Sequence, residues 1–147
     1  MAVERNYGIQ LERGDGASPE VFTEIVQLLD IKPPGMSLGK TDTTFHDGAG
    51  WETSIPSLLK HPGEVAIKVG YDPAAATHKF ASGGLIYDAI TTTTVGNWKI
   101  QMPESSSVYF TFAGYISEID FDNVVVDDDG IMIMNATLVV TAAITYP

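Results

Sequence analysis

Gly14-Asp-Gly-Ala-Ser-Pro-Glu-Val-Phe-Thr-Glu-Ile25 sets the reading of this 147-residue chain, because a flexible turn leads straight into a segment whose side chains alternate. Gly14 and Gly16 allow positive φ, Asp15 and Ser18 can bond nearby backbone amides, and Pro19 fixes φ just before the strand. Phe22, Val26 and Leu28 then share one face with Glu24 among them, which predicts a strand over residues 21–30. The prolines of Ile31-Lys-Pro-Pro-Gly35 stop it, since they cannot donate to a sheet ladder. A second turn-to-strand passage follows at Gly63-Glu-Val-Ala-Ile-Lys-Val-Gly-Tyr-Asp-Pro73. Val65, Ile67, Val69 and Tyr71 line one side and Ala66, Lys68 and Gly70 the other, the period of two of a half-buried strand, and Asp72-Pro73 ends it.

Working outward, residues 1–20 read as an arm ending in a turn, with Tyr7-Gly-Ile-Gln-Leu11 as its short candidate strand. Residues 74–81 carry good helix formers behind Asp72 as cap and Pro73 at the first helical position. Gly83-Gly84 interrupts that helix, residues 85–90 add a further turn or two, and Thr91 to Thr94 end it by β-branched crowding. In residues 97–102, Trp98, Ile100 and Met102 alternate with Lys99 and Gln101, so Trp98 is expected in the core. Residues 108–119 form the longest strand candidate, with Val108, Phe110, Phe112 and Ile116 on one face and Tyr109, Ala113, Tyr115 and Ile119 on the other. Strands at 121–126 and 131–143 flank the hairpin turn Asp127-Asp-Asp-Gly130. The second has an unbroken apolar face of Met132, Met134, Ala136, Leu138, Val140 and Ala142. The expected fold is a mainly β, single-domain chain over 1–147: an antiparallel β-sandwich or half-open barrel of six or seven strands with one short helix.

Residues 37–62 do not fit that scheme. They run polar and glycine-spotted, with a possible strand at 41–46 and a breaker at Asp47-Gly-Ala-Gly50, too long for an ordinary connection. Phe45, Trp51, Ile55, Leu58 and Leu59 lie within them and need something to bury them. Either this loop folds back on its own domain or it docks on a neighbour.

Composition removes several chemistries. With no cysteine, disulfides, thiolate metal sites and a cysteine nucleophile are excluded, and a reducing cytoplasm suits the chain. The opening Met1-Ala-Val-Glu-Arg-Asn-Tyr7 lacks the basic start and apolar core of a signal peptide, and no apolar run reaches bilayer length, so a soluble, unsecreted protein is expected. Eight Lys and Arg against 19 Asp and Glu give a net charge of −11, a field that repels phosphate and opposes tight nucleic-acid binding, although surplus acid also simply keeps proteins soluble. His46, His61 and His78 lie far apart, without metal-ligand spacing, and His46-Asp47 reads as a solvated dipeptide. Asp127 to Asp129 lack the spaced acids and terminal glutamate of a calcium loop. There is no Gly-x-Ser-x-Gly elbow, and Gly35-Met-Ser-Leu-Gly-Lys-Thr41 is one residue short of a phosphate loop and has no helix after it. No cofactor and no enzymatic activity are expected.

Taken in order, the Gly14-Asp-Gly-Ala-Ser-Pro opening with Phe22-Thr23, the polar Thr41-Asp-Thr-Thr-Phe-His-Asp47 loop, and the Pro62-Gly-Glu-Val65 strand closed by Tyr71-Asp-Pro73 carry a resemblance. Over nearly the whole chain they resemble the major tail tube protein of long-tailed, non-contractile bacteriophages. That resemblance implies a structural virion subunit, six copies to a ring and rings stacked into a tube, through which DNA passes without tight binding during genome ejection. It implies tape-measure and tail terminator or tip proteins as partners, no membrane, and a place in the virion tail after assembly in the bacterial host cytoplasm. It also favours docking for the long loop, with Phe45, Trp51 and Ile55 as subunit anchors and Asp42, Thr44, His46 and Asp47 as polar contacts. Residues 41–59 are then expected to order only on assembly, new burial offsetting an ordering cost of about 1–2 kcal/mol per residue. The alternative is a carbohydrate-binding β-sandwich module with Trp51 as the sugar platform.

Overall fold

The computed structural model describes residues 7–46, 48–91, 95–103, 108–124 and 130–147. In chain order the elements are β1 (Gln10–Gly14), β2 (Phe22–Glu24), β3 (Leu28–Lys32), β4 (Met36–Asp42), β5 (Ser54–Pro62), β6 (Glu64–Gly70), α1 (Leu85–Thr91), β7 (Gly96–Gln101), β8 (Tyr109–Phe121) and β9 (Ile133–Val140). Seven strands make one antiparallel sheet in the order β2-β1-β7-β8-β9-β6-β3, and β4 and β5 pair as a separate two-stranded sheet.

The two outermost strands of the large sheet, β2 and β3, are consecutive in sequence and separated only by residues 25–27. A link that short spans at most about 14 Å, so the sheet must curl until its edges nearly meet. The result is the half-open barrel, and its core collects on the concave side. Here the structure corrects the expected continuous strand over 21–30. Gln27 adopts φ 59, and the turn it makes buries Ile25 while leaving Val26 exposed, opposite to simple alternation from Phe22.

Thr77 and His78 fix this turn. Thr77 Oγ1 accepts the Val26 amide at 3.4 Å, and His78 Nε2 lies 2.8 Å from the Val26 carbonyl. His78 Nδ1 accepts the Asp72 amide at 3.2 Å, which leaves the proton on Nε2 for donation to Val26. The fully buried imidazole therefore ties the β2–β3 turn to the segment after β6. This demand also explains why residues 74–81 form turns and not the expected helix. Asp72 does cap the segment, accepting the Ala74 amide at 2.9 Å, but the chain then bends to carry His78 inward. The helix proper is α1, which buries Leu85 and joins β1 through Arg13 Nε to Asp88 Oδ2 at 2.7 Å.

Alternation is as expected in the central strands. Val65, Ile67 and Val69 of β6, Met134, Ala136, Leu138 and Val140 of β9, and Trp98 and Ile100 of β7 are all buried. Trp98 is 2% exposed and donates its indole N–H to the Gly114 carbonyl at 3.2 Å, so it is core. In β8 the register shifts between Ile116 and Glu118, which places both Ile116 and Ile119 toward the same core despite their odd separation. Three expectations change. Of the expected arm, residues 10–14 are not free, because Leu11 is buried and β1 pairs on both sides with β2 and β7. Met132 and Ala142 fall outside β9 and are exposed, shortening the apolar face. The strand expected over 121–126 is instead the last residue of β8, Phe121, followed by non-strand residues 122–124, while residues 125–129, including Asp127 to Asp129, lie outside the described residues.

Truncating the two tryptophans separates core from surface. Trp98→Ala is expected to lower unfolding stability by about 3–5 kcal/mol, and Trp51→Ala by less than about 0.5 kcal/mol in the single chain, both read by urea denaturation.

Candidate functional site

The region read as a long loop is a hairpin. From the base, Met36 pairs with Pro62, Ser37 with His61 and Leu38 with Lys60; farther out, Lys40 pairs with Pro56, Thr41 with Ile55 and Asp42 with Ser54. Between Leu38 and Lys40 only Gly39 faces the three residues Ser57, Leu58 and Leu59, so β5 bulges there. Gly39 suits that crossing, since a Cβ would sit 3.2 Å from the Ser57 Cβ and 3.3 Å from His61 Nε2. Ser57 Oγ accepts the Leu59 amide at 3.2 Å, holding the bulge, and Leu58 stands 99% exposed.

The base is equally constrained. The Gly63 amide donates to the Gly35 carbonyl at 2.8 Å, and a Cβ on Gly63 would come within 2.9 Å of that same oxygen. At the far end, a polar latch closes the tip. The Thr43 amide donates to the Thr53 carbonyl at 2.9 Å, Thr44 Oγ1 accepts the Thr53 amide at 2.9 Å, and Asp42 Oδ1 accepts the Thr44 amide at 2.9 Å. The expected strand at 41–46 thus ends at Asp42, because the threonine hydroxyls take over the pairing.

The sequence-derived interface residues lie on this hairpin. Asp42 and Thr44 belong to the latch, Ile55 sits on β5 opposite Thr41, and Phe45, His46 and Trp51 are on the exposed tip. Asp47 lies outside the described residues. Met36, Leu38, Phe45, Trp51, Ile55, Leu58 and Leu59 are each more than half exposed, a dense apolar surface for a two-stranded sheet that is marginal on its own. Sequence reasoning left Leu58 and Leu59 out of the interface set, since nothing in their spacing signals a bulge. Charge divides along the hairpin. The proximal half carries Lys40, Lys60 and His61 without an acid, and the distal half carries Asp42, Asp47 and Glu52.

Among the described residues no group of three or more His, Asp or Glu is arranged to hold a metal ion, and no helix is long and apolar enough to cross a membrane.

No protein-family model matches the chain, and no curated protein matches it in sequence. Solved structures do match in fold. A chain from the tail of an empty gene transfer agent particle, computed with helical refinement and C6 symmetry, superimposes with TM-score 0.70 at 11% identity over 99% of both chains. A chain from the sheath/tube terminator of an extracellular contractile injection system, in its extended state, gives TM-score 0.71 at 11% identity, covering 99% of this chain and 96% of that one. The SPP1 tail tube gives TM-score 0.62 at 10% identity over 94% of this chain and 76% of its own. The chain therefore has the fold seen in these tail and tube assemblies. Because a contractile system is among them, the fold does not select the non-contractile kind that the sequence resemblance names.

The latch gives a pH-dependent signature. The Thr44 amide, and then its hydroxyl, hold the Asp42 carboxyl below its ordinary range. A depressed folded-state value means the latch contributes fully above pH about 3.8 and is lost as pH falls through the lower folded value. The Thr44 amide resonance is expected to titrate with a midpoint below that of a free aspartate, and Asp42→Ala to abolish the titration.

Proposed function

We propose that this chain is the tube subunit of a phage-type tail, closing into six-membered rings that stack into a conduit for DNA. The observation that carries the reading is the β4–β5 hairpin, which holds seven large apolar side chains in solvent on a backbone too slight to shelter them. Likeness over nearly the full length to chains from tails and tubes, one computed with C6 symmetry, supports it. The hairpin docks on neighbouring copies, with Phe45, Trp51 and Ile55 as anchors and Asp42, Thr44, His46 and Asp47 as polar contacts, and its tip becomes rigid on docking.

The edges of β2 and β3, unpaired among the described residues, suit lateral joining, in which sheets of adjacent subunits extend one another and cover edges that would otherwise aggregate. Ring closure is then a head-to-tail contact whose rotation closes. A net charge of −11 suits a conduit, because a wall that paired Lys and Arg with phosphates would release counterions and grip DNA at each step. A tape-measure protein and a tail terminator or tip protein are the further partners, the site of action is the virion tail, and assembly takes place in the bacterial host cytoplasm. No step of catalysis is involved.

Electron microscopy of the concentrated chain, alone and with a tail initiator, tests this. The intact chain is expected to form rings or tubes of about 6-fold symmetry, and a chain lacking residues 37–62 to stay monomeric. An intact chain that remains a monomer throughout, with Trp51 fluorescence shifting on addition of an oligosaccharide, would instead establish the carbohydrate-binding alternative.

A further inference from the structure

We infer that the β5 bulge of one copy seats in the open groove between residues 7–9, which precede β1, and β3 of the next copy; the inference rests on the tube reading and specifies its docking contact. The groove, of about 590 Å³, is lined by Ile9, Leu28, Leu29 and Ile31, with Glu24 and Asp30 among its polar residues. It exists because the seven-stranded sheet curls without closing, leaving the outer edge of β3 unpaired among the described residues. A register shift between Leu28 and Asp30 turns Leu29 outward, more than half exposed, into this groove.

The hairpin presents the complementary surface. Its bulge puts Leu58 and Leu59 in solvent, with Leu38 also exposed on the facing strand, and the basic residues around it are Lys40, Lys60 and His61. In a chain of net charge −11, a stretch with two lysines, a histidine and no acid is a local reversal of sign, and it meets a groove carrying two exposed carboxylates. Bulges re-aim side chains, and here one bulge offers leucines as a knob while the other offers a leucine as the floor of a hole.

The occupant is a second copy and not the same chain's own hairpin. At its base the hairpin lies beside the C-terminal segment, where Met36, Lys60 and Pro62 line a separate cavity with residues 141–144, and Leu58 stays 99% exposed in the single chain. Knob and groove occupy different parts of the surface, so the contact is head-to-tail, the type that closes rings or propagates stacks.

The absence of native cysteine makes the test direct. L58C and L29C variants, mixed, assembled and mildly oxidised, are expected to give covalent dimers, while either variant alone gives none. K60E is expected to raise the concentration needed for assembly by about tenfold, and adding D30K to it to restore assembly to near the wild-type concentration. Normal tubes without the L58C–L29C link, or L58C linking to itself, would overturn the inference while leaving the tube reading intact. So would an L29C thiol shielded from modification in the unassembled chain, the result expected if residues 1–6 of the same chain fill the groove. An intact chain that never assembles removes the tube reading, and this inference with it.

Discussion

The turn at residues 25–27 governs the shape of the molecule. It joins the two outermost strands of a seven-stranded sheet, so whatever holds the turn also holds the curl. Gln27 sits at φ 59, a left-handed conformation that costs a residue with a Cβ about 1–2 kcal/mol. The surrounding bonds offset that cost: the Ile25 amide to the Leu11 carbonyl at 2.8 Å, the Gly70 amide to the Gln27 carbonyl at 2.9 Å, and the His78 ring to the Val26 carbonyl. Each reaches a different part of the barrel, so β1, β6 and the segment before α1 converge on one short turn. Curling then places Val65, Ile67, Val69, Trp98, Ile100, Met134 and Leu138 in one core.

The same curl decides what is left outside. With β3 and β6 adjacent in the sheet, the chain between them must leave and return at neighbouring points, and it does so through the close Gly35–Gly63 crossing. The excursion has room for only two strands. Among the described residues no second layer covers its apolar side chains, and they remain in solvent even though their composition resembles that of the core. A buried core and an exposed apolar hairpin are in this sense two results of one topological choice.

The sequence was most readable where a strand is buried on one face only. β6, β7 and β9 follow strict alternation, and the position of Trp98 followed from it. It was least readable where tertiary bonds override local pattern. The break at Gln27 occurs in a run that alternates acceptably as one strand, and only partners many residues distant reveal the turn. The spacing of His78 from the other histidines bears only on metal ligation, whereas its partners are backbone atoms of Val26 and Asp72. The hairpin hid behind glycines and threonines that read as loop, because its latch uses Asp42 and the hydroxyls of Thr43, Thr44 and Thr53 in place of bulky β formers. Its exposure was nevertheless legible from a different signal, large apolar side chains on a stretch with no visible means of burying them.

In the proposed tube, association of this chain with itself would have to contend with its own charge. Each copy carries −11, and like-charged surfaces repel within a screening length of about 8–10 Å at ordinary ionic strength. Apolar contact can overcome that repulsion, but it is non-directional and would as readily join copies in the wrong register. The hairpin divides the two tasks. In the proposed contact, its exposed leucines and aromatics would provide adhesion, and the acid-free stretch around Lys40, Lys60 and His61 would favour a neighbouring surface that is apolar and rimmed by carboxylates. An acid-rich body with a basic, apolar shoulder is the charge pattern that the proposed tube would need, joining in a defined order and offering phosphate few cations to pair with.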